Sequence, residues 1–223
     1  MSFFDRLEQA TTDGRLALVG VPQIQAALSG RISREAYIAY LTQAYHHVKH
    51  TVPLMQAAHA RMGEGRAQFR KALDDYIVEE TGHEAWILRD IANCGGDAEA
   101  VRCGEPNHAT RAMVDFAYRY IEDLNPMGFF GMVYVLEGTS VALASRGAGV
   151  VADSLGLGPE CFTYLTSHGA VDLEHMDFFR TLMGQVSDHA DQKAVIDMAR
   201  AMFVLFANLF RSIPLELGNV DVA

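Results

Sequence analysis

Three stretches of the chain carry side chains that hold divalent ions, at spacings a helix turns into a cluster. In H-G-A-V-D-L-E-H, His168, Asp172 and His175 are four and then three residues apart. On an α-helix these steps keep all three within about 60° of one another, one face offering two imidazoles and a carboxylate. In E-E-T-G-H, Glu80 stands three residues before His83 and Glu79 four before, so either shares its face on a continuous helix. Glu137 follows the apolar run F-F-G-M-V-Y-V-L, with no Lys or Arg within a turn. An ionised carboxylate there costs several kcal/mol unless a partner compensates it.

Any one of these is more often a solvated or internally bonded polar stripe. Taken together they are three carboxylates (Glu80, Glu137, Asp172) and three imidazoles (His83, His168, His175). Two divalent ions would bring +4 against −3, close to neutral. The mixture of carboxylate and imidazole without thiolate suits iron or manganese and argues against structural zinc. A second Glu-x-x-His, Glu105 to His108, contains Pro106 at a helix start and is read as a decoy. Without cations, like charges inside an apolar bundle disfavour order. Gly169 weakens its helix by about 1 kcal/mol relative to Ala, so metal binding is expected to be coupled to ordering of the His168–His175 stretch.

These residues need helices to position them, and the chain supplies little else. Its 223 residues suffice for one sizeable core, so a single all-α domain of about seven or eight helices over 1–223 is expected. The formal charge of −10, with no Lys/Arg-rich run, argues against nucleic acid and anionic membrane surfaces. The apolar runs Gly128–Leu136 and Ala201–Ala207 read as too short to span a bilayer, and the N-terminal residues do not read as a secretion signal. Cys94, Cys103 and Cys161, odd in number and without C-x-x-C spacing, fit a reducing cytoplasm.

In order, Ser2 caps a short helix to about Ala10, and Pro22 opens another ending near Gly30. Ser33 starts a long helix to about Met62, and a second long helix runs from about Arg66 to Asn93. Asn107 caps a helix to about Leu124, and Asn125–Pro126 breaks the chain before a helix running to about Ala152. That helix is apolar almost all round and should be central. Its second half, G-T-S-V-A-L-A-S-R-G-A-G, is rich in small residues and is expected to let neighbouring helices approach closely. Pro159 opens the helix carrying His168, ending near Gly184, and Asp188 or Ala190 begins the last, to about Ile213. The inner bundle should comprise the Arg66–Asn93, Pro126–Ala152 and Pro159–Gly184 helices, with Glu137 buried at its centre.

The set resembles the heme-oxygenase-like di-iron oxidases and oxygenases, related by fold to heme oxygenase, thiaminase II (TenA-like) and the pyrroloquinoline-quinone-forming oxidase (PqqC-like). In that family Glu and His come from one core helix, a Glu from a second, and His-x3-Asp-x2-His from a third. Tyr45–Leu54, Y-H-H-V-K-H-T-V-P-L, is also similar to a family segment, and the resemblance covers about residues 33–185. Several members place the first Glu seven residues before the His, where this chain has Tyr76. Another places it three before, which matches Glu80 and leaves Glu79 in reserve. The resemblance implies metal ligands Glu80, His83, Glu137, His168, Asp172 and His175, holding two ferrous ions, with manganese as the alternative and no heme. It further implies O2-dependent oxidation of a small carboxylate- or amine-bearing metabolite, an external electron donor, and a homodimer as the candidate assembly.

His47 and His50 share a helix face as candidate outer-sphere or substrate contacts, and a histidine of the His46, His47, His50 cluster would be the axial ligand if the chain bound heme instead. Tyr45, Trp86, Phe129, Phe130, Tyr134, Phe178 and Phe179 are pocket candidates, although aromatics at helical spacing more often fill a core. Cys161 is a weak candidate nucleophile with no base nearby in sequence. His59, His108 and His189 read as surface groups. The competing functions are a metal-free TenA- or PqqC-like enzyme, acting in thiamine salvage or as a cofactorless oxidase, and a non-catalytic ligand-binding protein on the same fold.

Overall fold

Glu137 sits on α10 (Phe129–Leu155), the 27-residue helix around which the other elements pack in this computed structural model. The structure describes residues 1–215, and of residues 168–174 the backbone alone. Every residue of α10 from Phe129 to Val135 is buried. Both α11 (Thr163–Met183) and α12 (His189–Arg211) pack extensively against it, so the last helix belongs to the centre as well, which the sequence had not suggested. Gly131 lets α12 in: a Cβ there would lie 2.2 Å from the Val195 carbonyl oxygen and 2.8 Å from the Ala199 nitrogen. Pro126–Leu155 is long and apolar enough by composition to cross a bilayer, which corrects the reading from shorter runs. In this fold it is the core helix, 61% of its most apolar window being buried against the protein itself.

The described residues form twelve α-helices and no strand, more helices than expected because two long ones are broken and two short ones, Thr12–Val19 and Ala98–Cys103, were not anticipated. The expected Ser33–Met62 helix is α4 (Arg34–Val48) and α5 (Thr51–Arg61). Pro53 has no N–H for the Lys49 carbonyl, and its ring would crowd that carbonyl in a continuous helix; placed in the first turn of α5 it is tolerated. The expected Arg66–Asn93 helix is α6 (Ala67–Glu80) and α7 (Glu84–Asn93), separated by a turn in which Gly82 takes φ +94°. The other short elements are α1 (Phe3–Ala10), α2 (Thr12–Val19), α3 (Pro22–Leu28), α8 (Ala98–Cys103) and α9 (His108–Arg119). The caps follow the sequence: Ser2 and Asp5 form a capping box, and Ser33, Asn107 and Asp188 accept from the first turns of their helices.

Two polar ties fix the helices that matter for the site. Asp90, fully buried on α7, accepts the Tyr164 backbone N–H at 2.8 Å and so caps the start of α11. That helix begins at Thr163, after a 3-10 turn at Pro159–Cys161, rather than at Pro159 itself. Asp191 accepts Arg66 Nε at 2.9 Å, Arg66 Nη2 at 2.7 Å and Asn125 Nδ2 at 2.9 Å, joining the entries to α6, α10 and α12.

Candidate metal centre

Glu80 closes α6, Glu137 sits mid-way along α10 and His175 lies on α11. Each offers one ligand atom, and these atoms all lie within 4.8 Å of one another. First-row metals bind nitrogen and oxygen at roughly 2.0–2.2 Å, so donors around one ion are up to roughly 4 Å apart and only a small contraction is needed. The three side chains are shut from water: Glu80 is 7% and His175 7% exposed, and the Glu137 side chain 11%. His175 Nδ1 stands 3.6 Å from Glu137 Oε1, the compensation that no Lys or Arg near Glu137 in sequence provides. Its Nε2 pairs with Glu79 Oε2 at 2.9 Å. Burial alone would depress the His175 pKa, but the carboxylates of Glu137, Glu79 and Glu80 outweigh it and hold the imidazole at about 9.

His83 Nδ1 pairs with Glu80 Oε2 at 2.9 Å, and the indole of Trp86 stacks on the His83 ring at 4.0 Å. The expected pairing of Glu80 with His83 is therefore present, but not for the reason of a shared mid-helix face. Glu80 ends one helix, His83 immediately precedes the next, and the Gly82 turn brings them together. Glu79 points its half-exposed carboxylate at His175, consistent with an outer partner that orients an imidazole. Tyr76, buried, places its ring edge-on to His175 with centroids 5.0 Å apart. The His168 and Asp172 side chains, and the expected ordering of the His168–His175 stretch, lie outside the described residues.

The remaining candidates separate. His47 is 4% exposed and faces a cavity of about 80 Å³ whose wall also holds Glu80, Glu137, Met132 and Ser140. His50 Nδ1 instead meets the Tyr118 hydroxyl at 3.1 Å, and His46 Nδ1 meets Lys49 Nζ at 3.2 Å. Of the aromatics, Phe129 lines this cavity, Phe130 and Phe179 fill the core, Phe178 is 44% exposed, Tyr45 stacks under Lys49, and the Tyr134 hydroxyl accepts from Arg15. Cys161 is buried beside Cys94, away from both cavity walls. His108 and His189 are exposed, while His59 is partly buried and pairs with Asp74. Glu105 bonds Arg111, not His108.

A second, larger cavity of about 140 Å³ adjoins the first, both walls sharing His47, Leu136, Ser140 and Tyr164. Sequence reasoning missed Ser140 and this chamber. The available signal was the small-residue half of α10, read there as close packing. In the structure a Cβ at Gly138 or Gly149 would meet nothing within 4 Å, and one at Gly147 only Leu28 Cδ2 at 3.9 Å. Close approach happens at Gly131 instead, and the small residues further along leave room.

A family described as iron-containing redox enzymes matches residues 38–207. No curated protein matches the chain by sequence. Among solved structures, a domain of unknown function with a heme oxygenase-like fold from Shewanella denitrificans superposes with TM-score 0.86 at 22% identity, covering 96% of this chain and 92% of that one. A TenA homologue from Pseudomonas syringae pv. tomato gives 0.79 at 13% identity over 94% and 91%. Heme oxygenase-1 from Synechocystis, in complex with heme, gives 0.75 at 14% over 97% and 94%. At these identities the likeness shows the fold.

Proposed function

The chain belongs to the iron-containing redox enzymes of heme-oxygenase-like fold, and from that premise we propose that it is a non-heme, di-iron, O2-dependent oxidase or oxygenase. The observation that carries the reading is the convergence of Glu80, Glu137 and His175 from three helices on one buried point within 4.8 Å. The donor set fits ferrous iron in kind, one imidazole and two carboxylates, and His83 stands beside it against Glu80. His168 and Asp172 complete the proposed ligand set. Iron held there would supply the redox chemistry with O2, with an external electron donor as co-reactant.

The protein's own part is positional. Glu137 and Glu80 provide negative charge inside an apolar wall of Met55, Phe129, Met132 and Val133, which keeps water from the reacting bond. Glu79 holds the His175 ring through Nε2. The inner cavity receives the end of the substrate to be oxidised, a carboxylate- or amine-bearing molecule. A metal-free TenA-like reading is favoured by one observation: the Glu79–His175 and Glu80–His83 pairs both close at 2.9 Å, as acid–base pairs do. A TenA-like thiol nucleophile has no support, since Cys161 lies off both cavity walls.

The test is anaerobic loading with ferrous iron followed by exposure to O2. We expect an absorbance change that depends on both iron and O2 and is lost in Glu137→Ala and His175→Ala; an unchanged spectrum in the loaded wild type would overturn the reading.

A further inference from the structure

The larger cavity follows one face of α10, lined by Leu136, Ser140, Leu143, Gly147 and Val151 at steps of three or four residues. Its wall is mainly hydrocarbon, and among the described residues no Lys, Arg, Asp or Glu lines it. Most of its polar groups are satisfied within the protein. The Tyr37 hydroxyl donates to the Cys161 carbonyl at 2.9 Å, Thr139 donates to the Val135 carbonyl at 2.6 Å, and Tyr40 bonds Tyr164. Two atoms are left over. The Ser140 hydroxyl, where this cavity adjoins the inner one, is buried and has no hydrogen-bond partner among the described residues. Gln23, on the wall of the larger cavity alone, donates through Nε2 to the Arg211 and Ile213 carbonyls, each at 3.1 Å. Those two acceptors fix the amide, because turning it over would set oxygen against oxygen. Its Oε1 is therefore the free end, buried and likewise without a partner among the described residues.

A buried polar atom without a partner costs free energy unless a ligand satisfies it. A hydrocarbon wall with two such atoms, extending over about four turns of α10, suits an elongated molecule that is apolar in the middle and polar at two places. Gln23 Oε1 can only accept, so the group that meets it must donate. An ionised donor would be stranded where the wall carries no carboxylate, so that donor is neutral. Ser140 can donate or accept, and so it serves a carboxylate or an amine at the reacting end alike and selects neither. We infer that this chamber binds the body of the substrate, an elongated and mainly hydrocarbon molecule that carries a neutral hydroxyl at the end remote from the metals, where Gln23 Oε1 receives it. Gln23 then determines specificity for that end. Calling the ligand the substrate rests on the proposed function; the recognition of its hydroxyl does not.

The experiment is calorimetric titration of the full-length protein, metal-free and iron-loaded, with unbranched alkanoates and alkylamines of increasing length. Each is compared with its ω-hydroxy and ω-methoxy derivatives, and both head groups are used so that the result is independent of which one the metals prefer. At the chain length that reaches Gln23, the ω-hydroxyl should tighten binding by about fivefold or more over the unsubstituted chain. The ω-methoxy group, which accepts but cannot donate, should bring no such gain. Gln23→Met should remove the gain while leaving the affinity of unsubstituted chains unchanged; if that variant fails to fold, the methoxy comparison draws the same distinction in the wild type. A hydroxyl that brings no gain at any length, or a methoxy group that matches it, would overturn the inference. Iron content is read on the same samples. A hydroxyl preference in protein that takes up no iron would sink the proposed oxidase and leave the Gln23 site standing, whereas iron uptake without the preference would sink the Gln23 site alone.

Discussion

His175 Nδ1 lies 3.6 Å from Glu137 Oε1, so the carboxylate at the centre of the most apolar helix faces an imidazole from the next helix along. Neither residue has a reason to be there as core: together they cost burial of charge, and they are close enough to share an ion.

Removing Glu137 should therefore cost the metal before the fold. Glu137→Ala is expected to abolish tight binding of at least one iron while far-ultraviolet circular dichroism stays near wild type. Elemental analysis after desalting reads the first and dichroism the second. Retention of full iron would remove Glu137 from the ligand set.

Glu80 and Glu79 should behave differently. Glu80 converges with Glu137 and His175, whereas Glu79 touches the far nitrogen of His175. We expect Glu80→Ala to lower iron stoichiometry, and Glu79→Ala to weaken affinity by about 10–100-fold at unchanged stoichiometry. Competition with a chelator of known affinity separates the two, and the reverse pattern would exchange their roles.

Metal uptake should release a proton. In the metal-free protein His175 is held at about 9, so it is charged at neutral pH, and a ligating imidazole must be neutral. Apparent affinity for Mn2+ should rise with pH towards about 9. The sign for folding is opposite: the raised pKa stabilises the metal-free protein fully below the ordinary value of 6.5, and this contribution is lost as pH climbs to about 9. Titration in buffers of different ionisation enthalpy counts the proton; a buffer-independent heat would mean that His175 is not displaced from its carboxylates.

The Asp191 tie predicts acid sensitivity. Burial would raise its pKa, but Arg66 and Asn125 more than offset that and hold it below 3.8. Its stabilisation is complete above the ordinary carboxylate value and disappears as pH falls through the lowered one. Asp191→Ala should cost about 2–3 kcal/mol at pH 7, and less at pH 3, by urea denaturation. Equal losses at both would contradict this.

Two glycines of α10 should respond with opposite signs. Gly131→Ala drives a Cβ into the backbone of α12 and should destabilise by about 1–3 kcal/mol. Gly147→Ala meets only a Leu28 methyl at 3.9 Å and should stabilise by up to about 1 kcal/mol. Thermal melts of the two variants decide it.

The helical class, the caps and the centrality of α10 were legible because Ser2, Ser33, Asn107 and Asp188 are local signals and the Phe129–Leu136 run leaves no polar face. The breaks were less so. Pro53 and Gly82 interrupt patterns whose apolar period continues across them, and only the positive φ at Gly82 shows why Glu80 and His83 meet. Glu80, Glu137 and His175 stood out as residue types, but their convergence depends on how three separate helices pack, which no spacing in the sequence encodes. The chamber was not legible either, because Ala144 and Gly147 read identically whether a neighbouring helix or a ligand fills the space beside them; that depends on where α3 and α12 lie.

The most direct measurement is the metal content of protein produced with added ferrous iron, read together with its visible spectrum. The account predicts about two irons per chain, negligible heme absorbance and an optical change when O2 is admitted. Iron well below one per chain after anaerobic loading, or a heme Soret band in proportion to protein, would contradict it.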